Sequence, residues 1–456
     1  MAKQDFWTNA SVLSLAQNAD PVTHITQKAR ALILEFMESG GFGPPFDMSQ
    51  LARFIGAEIV PSAEVRDSQL TFVSGKPQIE FNPNQSKNRI RYSISHELIH
   101  TLFPDWKDEI RYRSSHQGMS ADGWQLEMLC NIGACELLMP IGSFPELQAQ
   151  EVSIERLLEL RSVYEVSMEA ILLRFIKLTQ NQCAVFSTSR VSPDSDRYKI
   201  DYFVPSSSFK RRLPSGTVLP SDSVVTECTA IGFTSKGQER WYHGFDNLRV
   251  ECVGIPPYPD QTYPRVMGIL ASSKQTINHS SRPVMLRGDA TEPRGAGNRI
   301  LAFIVNDKTP RWGAGFARAV RQKWDEVQKD FVNWAERYPR EFTLGNIHLT
   351  DIAPTLTAAL LISQHGYGDS PKPRIRYGAL NKCLEKLAIV AQEKAATVHM
   401  PRIGSGQARG NWPIILEMIE ENLSKRGIEV TVYDLPQSQP GKRPQHSFDF
   451  SRPSVS

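Results

Sequence analysis

Cysteine is scarce and scattered. The six residues, at 130, 135, 183, 228, 252 and 383, include no CxxC pair, which excludes a zinc ribbon, and they are too few in 456 residues to form a disulfide framework. No apolar run reaches the roughly 18 residues that a membrane-spanning helix needs. The opening segment, MAKQDFWTNASVLSLAQNAD, has no basic stretch followed by an apolar core, so it does not read as a signal peptide. These absences set the expectation of a soluble, cytoplasmic protein with no membrane partner. Neither sign of charge prevails, since 52 Lys and Arg stand against 49 Asp and Glu for a formal net charge of +3. That balance gives no electrostatic footprint for nucleic acid. Internal repeats are also lacking. What is present is ordinary globular material, 40% hydrophobic and 22% charged, in a chain long enough for roughly two to four domains.

The residue pattern changes twice along the chain. Ala29, Leu32, Ile33, Phe36 and Met37 recur at helical spacing until GGFGPP breaks the run, and a short helix follows at 48–55. Strand-like runs occupy 58–60 and 78–81. Helices are expected at 89–103, at 124–138 (stopped by Pro140), at 155–161 and at 168–178. From Cys183 to about Ser272, alternating runs such as 198–204 and 248–253 lie between Pro, Ser, Gly and Asp clusters, which reads as a mostly β module. Beyond SSKQTINHSSRP, runs at 285–286, 300–305, 357–362, 396–400 and 429–433 read as buried strands. Helices at 316–324, 377–393 and 412–425 alternate with them, the mark of an α/β domain. The tail, PQSQPGKRPQHSFDFSRPSVS, is Pro- and Ser-rich and is expected to be disordered. The expected architecture is therefore multidomain, α+β and α/β. A mainly helical domain covers 1–180, a β module 181–275, an α/β domain 282–436 and a disordered tail 437–456.

His96-Glu97-Leu98-Ile99-His100 is an HExxH sequence inside an expected helix. Positions i and i+4 share a helix face, so both imidazoles can reach one metal ion, while Glu97 can take a proton from a water acidified there. Two histidines and a carboxylate point to zinc, with manganese or iron compatible with the same donors. A catalytic zinc takes a third protein ligand. Glu127, on the next long helix, is the best candidate, with Trp124, Met128 and Leu138 free to pack that helix, and Glu136 is its competitor. Cys130 and Cys135 on the same helix read as small core residues.

The stretches RIRYSISHELIH and EMLCNIGACELLMP, with FGPPFDMSQLARFIGAEI upstream, resemble the ImmA/IrrE family of metallopeptidases over residues 25–180 or so. The resemblance implies a zincin-like fold with Glu127 as third zinc ligand. It also implies a protein substrate, typically a helix-turn-helix repressor or another regulatory protein cut at one site, and by analogy a role in a stress or phage response. One departure is Ile99, where the family usually has glycine.

Three further motifs lie in the α/β part. RGDAT, at 287–291, follows a strand; WGAGF, at 312–316, opens a helix; RIGSG, at 402–406, joins a strand to a helix. Glycine at such junctions lets backbone N–H groups approach a phosphate, and a helix N-terminus favours its charge. Together with VND, NW and VTVYDL they resemble a macrodomain of the branch that includes terminal ADP-ribose-protein glycohydrolases. The resemblance implies an ADP-ribose-like ligand, with Asp289 on the adenine and Asn306 near the distal ribose. It puts Gly313, Ala314, Gly315 and Phe316 around the distal ribose and phosphate, Gly404, Ser405 and Gly406 around the pyrophosphate, and Tyr433 on the adenine side. Gln364 and Ala408 stand where that branch has its catalytic lysine and aspartate, which implies a site that binds rather than hydrolyses. The expected function is a zinc endopeptidase controlled by ADP-ribose or a derivative. The alternatives are a peptidase targeted to ADP-ribosylated proteins and an ADP-ribosyl hydrolase whose peptidase part is structural.

Overall fold

In the computed structural model of the chain, residues 7–16, 19–108, 122–143, 153–242, 245, 248–258, 261–272, 283–368 and 370–434 are described. The expected tail at 437–456 lies outside them. The residues divide into two compact units, one of 1–33 with 41–278 and one of 34–40 with 279–456.

In the first unit, α1 (Ala10–Ala16) and α2 (Pro21–Glu38) lead to α3 (Met48–Phe54), which Asp47 caps by accepting from Ser49 N and Gln50 N. A small sheet follows, built from β1 (Glu58–Pro61), β2 (Ser68–Val73) and β3 (Lys76–Phe81) in the order β1-β3-β2. Strand β2 is an edge that the sequence reading did not anticipate. Helix α4 (Lys87–His100) packs beside it, and α5 (Gly123–Leu138) packs on α4. Their close approach has a specific cause. A Cβ at Gly133 of α5 would lie 2.8 Å from the Ile99 side chain of α4, so the bulky residue before His100 is accommodated by a glycine opposite it. Leu98, Ile99, Leu129 and Leu137 are fully buried in this seam, but Trp124 is 43% exposed and does not pack the helix as expected. Helices α6 (Ile154–Tyr164) and α7 (Met168–Leu178) begin at Ser153 and Ser167, whose side chains accept from Arg156 N and Ala170 N.

The β module is a five-stranded antiparallel sheet of β4 (Cys183–Arg190), β5 (Tyr198–Pro205), β6 (Thr234–Glu239), β7 (Leu248–Ile255) and β8 (Arg265–Ser272), in the order β5-β4-β8-β7-β6. Phe186, Ile200, Trp241 and Leu270 fill one face. It groups with the helices before it, where the Glu251 carboxylate accepts from Ile154 N at 2.8 Å and Glu169 receives Tyr202 OH and Arg265.

The second unit is a six-stranded sheet. Its strands are β9 (Val284–Arg287), β10 (Arg299–Asn306), β11 (Ile347–Ala353), β12 (Leu356–Gln364), β13 (Thr397–Pro401) and β14 (Val430–Asp434), in the order β11-β12-β10-β13-β14-β9. Helices α8 (Gly315–Lys323), α9 (Asp325–Arg337), α10 (Tyr377–Glu393) and α11 (Trp412–Asn422) connect them. All neighbouring pairs are parallel except β11 with β12. The loops after β9, β10, β12 and β13 therefore leave at the same end of the sheet. Strand β9 was expected to be buried. It is an edge strand instead, with Val284 54% and Met285 41% exposed, because only β14 covers it. Helix α9 and strand β11 were not anticipated.

Candidate metal centre and nucleotide crevice

On α4 and α5 the sequence-named donors come together. His96 Nε2 lies 2.9 Å from Glu127 Oε2 and 3.2 Å from His100 Nε2, and His100 Nε2 lies 3.7 Å from Glu127 Oε1. Donors around a tetrahedral zinc with bonds near 2.05 Å sit about 3.3 Å apart, so these three fit one ion in separation and in chemistry. Glu97 is 6% exposed and accepts from Ser68 Oγ at 2.8 Å, which ties it to the edge strand β2. Glu136 is not available to a metal. It is 1% exposed and bound by Arg174 Nη1 at 2.7 Å and Arg30 Nε at 3.3 Å.

Cys130 also lies close, its sulfur within 4.8 Å of donor atoms on His96 and His100. Its Sγ, however, is 3.5 Å from Nδ1 of His100, the ring nitrogen opposite the one that meets His96 and Glu127. It therefore backs the imidazole rather than completing the donor set. Asn131 does the same for His96. Its Oδ1 lies 2.9 Å from His96 Nδ1 and accepts from Tyr92 OH at 2.6 Å. An N–H at Nδ1 donating to Asn131 leaves the Nε2 lone pair for a metal. Burial disfavours a charged His96, but the hydrogen bond to Glu127 and the charge of Glu97 outweigh it and hold the pKa above the ordinary histidine value. A metal ion held at Nε2 would compete with that proton, and its affinity would fall as the pH drops. Asn131→Ala is expected to weaken zinc binding by about 10- to 100-fold without unfolding the chain. A competitive titration against a zinc chelator measures this, and an unchanged affinity would remove Asn131 from the site.

Sequence reading missed Ser68 and Asn131 and gave Tyr92 only an apolar role. Asn131 had a visible signal, since Glu127, Cys130 and Asn131 stand at i, i+3 and i+4 on one helix face. Ser68 had none, being 29 residues from its partner.

The nucleotide residues gather at the carboxyl end of the parallel strands. Asp289 is exposed, with Oδ1 accepting from Thr291 N at 2.8 Å. Gly313, Ala314 and Gly315 are exposed and Phe316 half-buried at the start of α8. Gly404 (φ +73°) is buried against Ile415, where a Cβ would come within 2.8 Å, while Ser405 is half-buried and Gly406 exposed. The two glycine loops adjoin, since a Cβ at Gly315 would lie 3.9 Å from Gln407 Oε1. They flank the gap between β10 and β13, where the chain reverses its order across the sheet, and such switch points form ligand crevices in open α/β sheets. Two of the named residues serve the frame. Asn306 Oδ1 accepts from Lys308 N and Thr309 N, both at 2.9 Å, and so shapes the first loop. Tyr433 is 3% exposed, lies under Gly288, and holds Arg294 N and His399 through its hydroxyl. Burial, reinforced by the Arg299 charge, lowers His399 to about 4, so it is neutral at physiological pH.

A metallopeptidase-like domain joined to an α/β domain with a phosphate-type crevice is the class that these features define. Residues 56–175 match the IrrE N-terminal-like domain of the Peptidase_M78 family. A macrodomain protein from Streptomyces coelicolor is 36% identical over 34% of this chain and 99% of its own, with a TM-score of 0.30. A protein of unknown function from Bacteroides thetaiotaomicron is 40% identical over 34% of this chain and 98% of its own, with a TM-score of 0.32. Mouse chromodomain-helicase-DNA-binding protein 1-like is 28% identical over 177 residues, 37% of this chain and 19% of that protein. The chain spans less than a fifth of the length of the first curated relatives it matches. Over the 34% of its length that matches the Streptomyces coelicolor protein the chain belongs to the macrodomains, and it carries in addition the segment at 56–175 that matches the Peptidase_M78 (IrrE N-terminal-like) model, a fusion of the two. It is the sequence identity over whole relatives, not the superposition, that places the second part.

Proposed function

We propose that the chain is a zinc-dependent endopeptidase that cuts a regulatory or target protein, under the control of an ADP-ribose-type nucleotide bound at the macrodomain. The observation that carries this reading is the convergence of His96, His100 and Glu127 beside Glu97. These three would hold a zinc ion, which would supply a Lewis acid for the scissile carbonyl and for water. Glu97 takes the proton from the attacking water and returns it to the leaving amine nitrogen. Ser68 holds the Glu97 carboxylate in orientation from the edge strand.

Control requires that the nucleotide bind the active and latent states with different affinity. Within the second unit, Glu38 accepts from Tyr377 N at 2.6 Å, and Tyr377 OH in turn accepts from Asn411 N just beyond the second glycine loop.

ADP-ribose titrated calorimetrically into the intact protein is expected to bind. Asp289→Ala should weaken it by roughly 10- to 100-fold, the loss of one charge-assisted hydrogen bond of about 1.5–3 kcal/mol. Equal affinity in the variant would take Asp289 out of the site. Mapping new protein N-termini in a lysate treated with the wild type, with and without ADP-ribose, then tests control. Stimulation supports it, inhibition points to recruitment of ADP-ribosylated targets, and no effect sinks it.

A further inference from the structure

The β module holds two thiols that neither site uses. Cys228 follows a short 3₁₀ turn (Val224–Glu227), and Cys252 lies on β7. Both are fully buried free thiols, and their sulfurs stand 3.4 Å apart. Glycines on three strands make room for this approach. A Cβ at Gly254 of β7 would collide with the Ala230 carbonyl oxygen, one at Gly237 of β6 would come 2.7 Å from Val224 Cγ1, and one at Gly268 of β8 would come 2.9 Å from Cys252 Cβ. Gly232 N donates to Gly254 O and Gly254 N to Phe233 O, both at 2.8 Å, which pins the segment after Cys228 onto β7.

The two sulfurs differ. The Cys252 thiol donates to Cys228, and that bond, aided by the backbone of Ser235 and Gly254, holds Cys228 below the ordinary thiol value against burial and the Glu227 charge. The same bond, together with burial, pushes Cys252 up. Cys228 is thus the sulfur that carries a nucleophilic thiolate. The layer above it is one residue thick, since Glu227, Thr229 and residues 231–234 are exposed. Short surface segments of this kind open locally at far less cost than global unfolding, so a molecule the size of water reaches the sulfur. We propose that Cys228 and Cys252 are a redox-active dithiol, with Cys228 the attacking sulfur, which hydrogen peroxide or an organic hydroperoxide converts to a reversible disulfide. The Cys228 thiolate attacks a peroxide oxygen, the O–O bond breaks, and the departing hydroxide or alkoxide takes up the proton that Cys228 had lost. The Cys252 sulfur then attacks the sulfur of the Cys228 sulfenic acid, the S–O bond breaks, and the Cys252 proton leaves with the hydroxide as water. Two electrons pass from the two thiols to one peroxide. A dithiol reductant reverses the link by thiol–disulfide exchange.

The disulfide would fasten the segment after Cys228 to the strand that also holds the helices of the first unit. Glu251, the neighbour of Cys252 on β7, accepts from Ile154 N at the start of α6. The test uses the full chain, reduced, freed of reductant and treated with hydrogen peroxide while folded. The remaining thiols are then alkylated under denaturing conditions, and the chain is digested without reduction and mapped by mass spectrometry. The wild type should yield a cross-linked peptide pair joining Cys228 to Cys252, which dithiothreitol abolishes, while Cys183 and Cys383, also buried, are still alkylated. In Cys252→Ser, dimedone should trap Cys228 as a sulfenic acid. In Cys228→Ser, Cys252 should stay a free thiol. The wild-type result involves no substitution, so a misfolded variant cannot imitate it. Full alkylation of Cys228 and Cys252 in the treated wild type, or oxidation of Cys183 and Cys383 to the same extent, would reduce the pair to core packing and overturn the proposal. A dimedone adduct on Cys252 in Cys228→Ser would overturn the choice of attacking sulfur.

Discussion

Glu97→Gln should lower peptide-bond hydrolysis by roughly 100- to 10,000-fold, the range for removing a positioned general base. The amide fills the same volume and can still meet Ser68 Oγ, but it cannot take a proton from water. Zinc content and thermal stability should stay close to wild type, because Glu97 is not among the converging donors. The pairing of lost turnover with retained metal is the informative result. New N-termini that persist in a lysate treated with this variant would assign the cutting to another residue or another protein.

Glu136→Ala should act on stability instead. Burial pushes the Glu136 pKa up, but the Arg174 and Arg30 guanidinium groups outweigh it and hold it below the ordinary value of 4.5. Removing the carboxylate leaves Arg174, 7% exposed, with Nε and Nη2 that already lack a hydrogen-bond partner. Breaking a buried pair in this way costs about 3–5 kcal/mol, readable as a lower denaturant midpoint at neutral pH. The pH dependence follows from the sign of the shift. A depressed carboxylate stabilises the fold fully above its unfolded value and loses that contribution as the pH falls through its folded value. The wild type should therefore weaken progressively below pH 4.5, and the difference from Glu136→Ala should shrink over the same range. A pH-independent gap between the two would mean that packing, not charge, makes Glu136 important.

The legible parts of the chain are those where chemistry and local spacing coincide. HELIH and the segment opening at Glu127 each lie on one helix, so helical geometry alone turns their donors to one face. The choice of Glu127 over Glu136 was less legible, because both are on α5 and their distinct partners come from α2, α4 and α7. The role of Ser68 depends on β2 lying against α4, and local pattern does not give that. Helix α9 carried a signal in Val327, Phe331 and Ala335, four residues apart and all buried, but the surrounding charges hid it. Strand β11 is a partly exposed edge, and β9 shows an exposed burial pattern for the same reason. Edge strands lack the continuous apolar run that marks a buried one.

The metal centre is tested most directly by titrating zinc into the metal-free protein, with Glu127→Ala and Cys130→Ser as the two variants. The proposed site predicts one tight site in the wild type, a loss of at least about 100-fold on removing a first ligand, and nearly wild-type affinity in Cys130→Ser. Tight binding that survives Glu127→Ala but vanishes in Cys130→Ser would contradict it. The third donor would then be a thiolate, and the open, carboxylate-bearing site from which the peptidase reading was built would not exist.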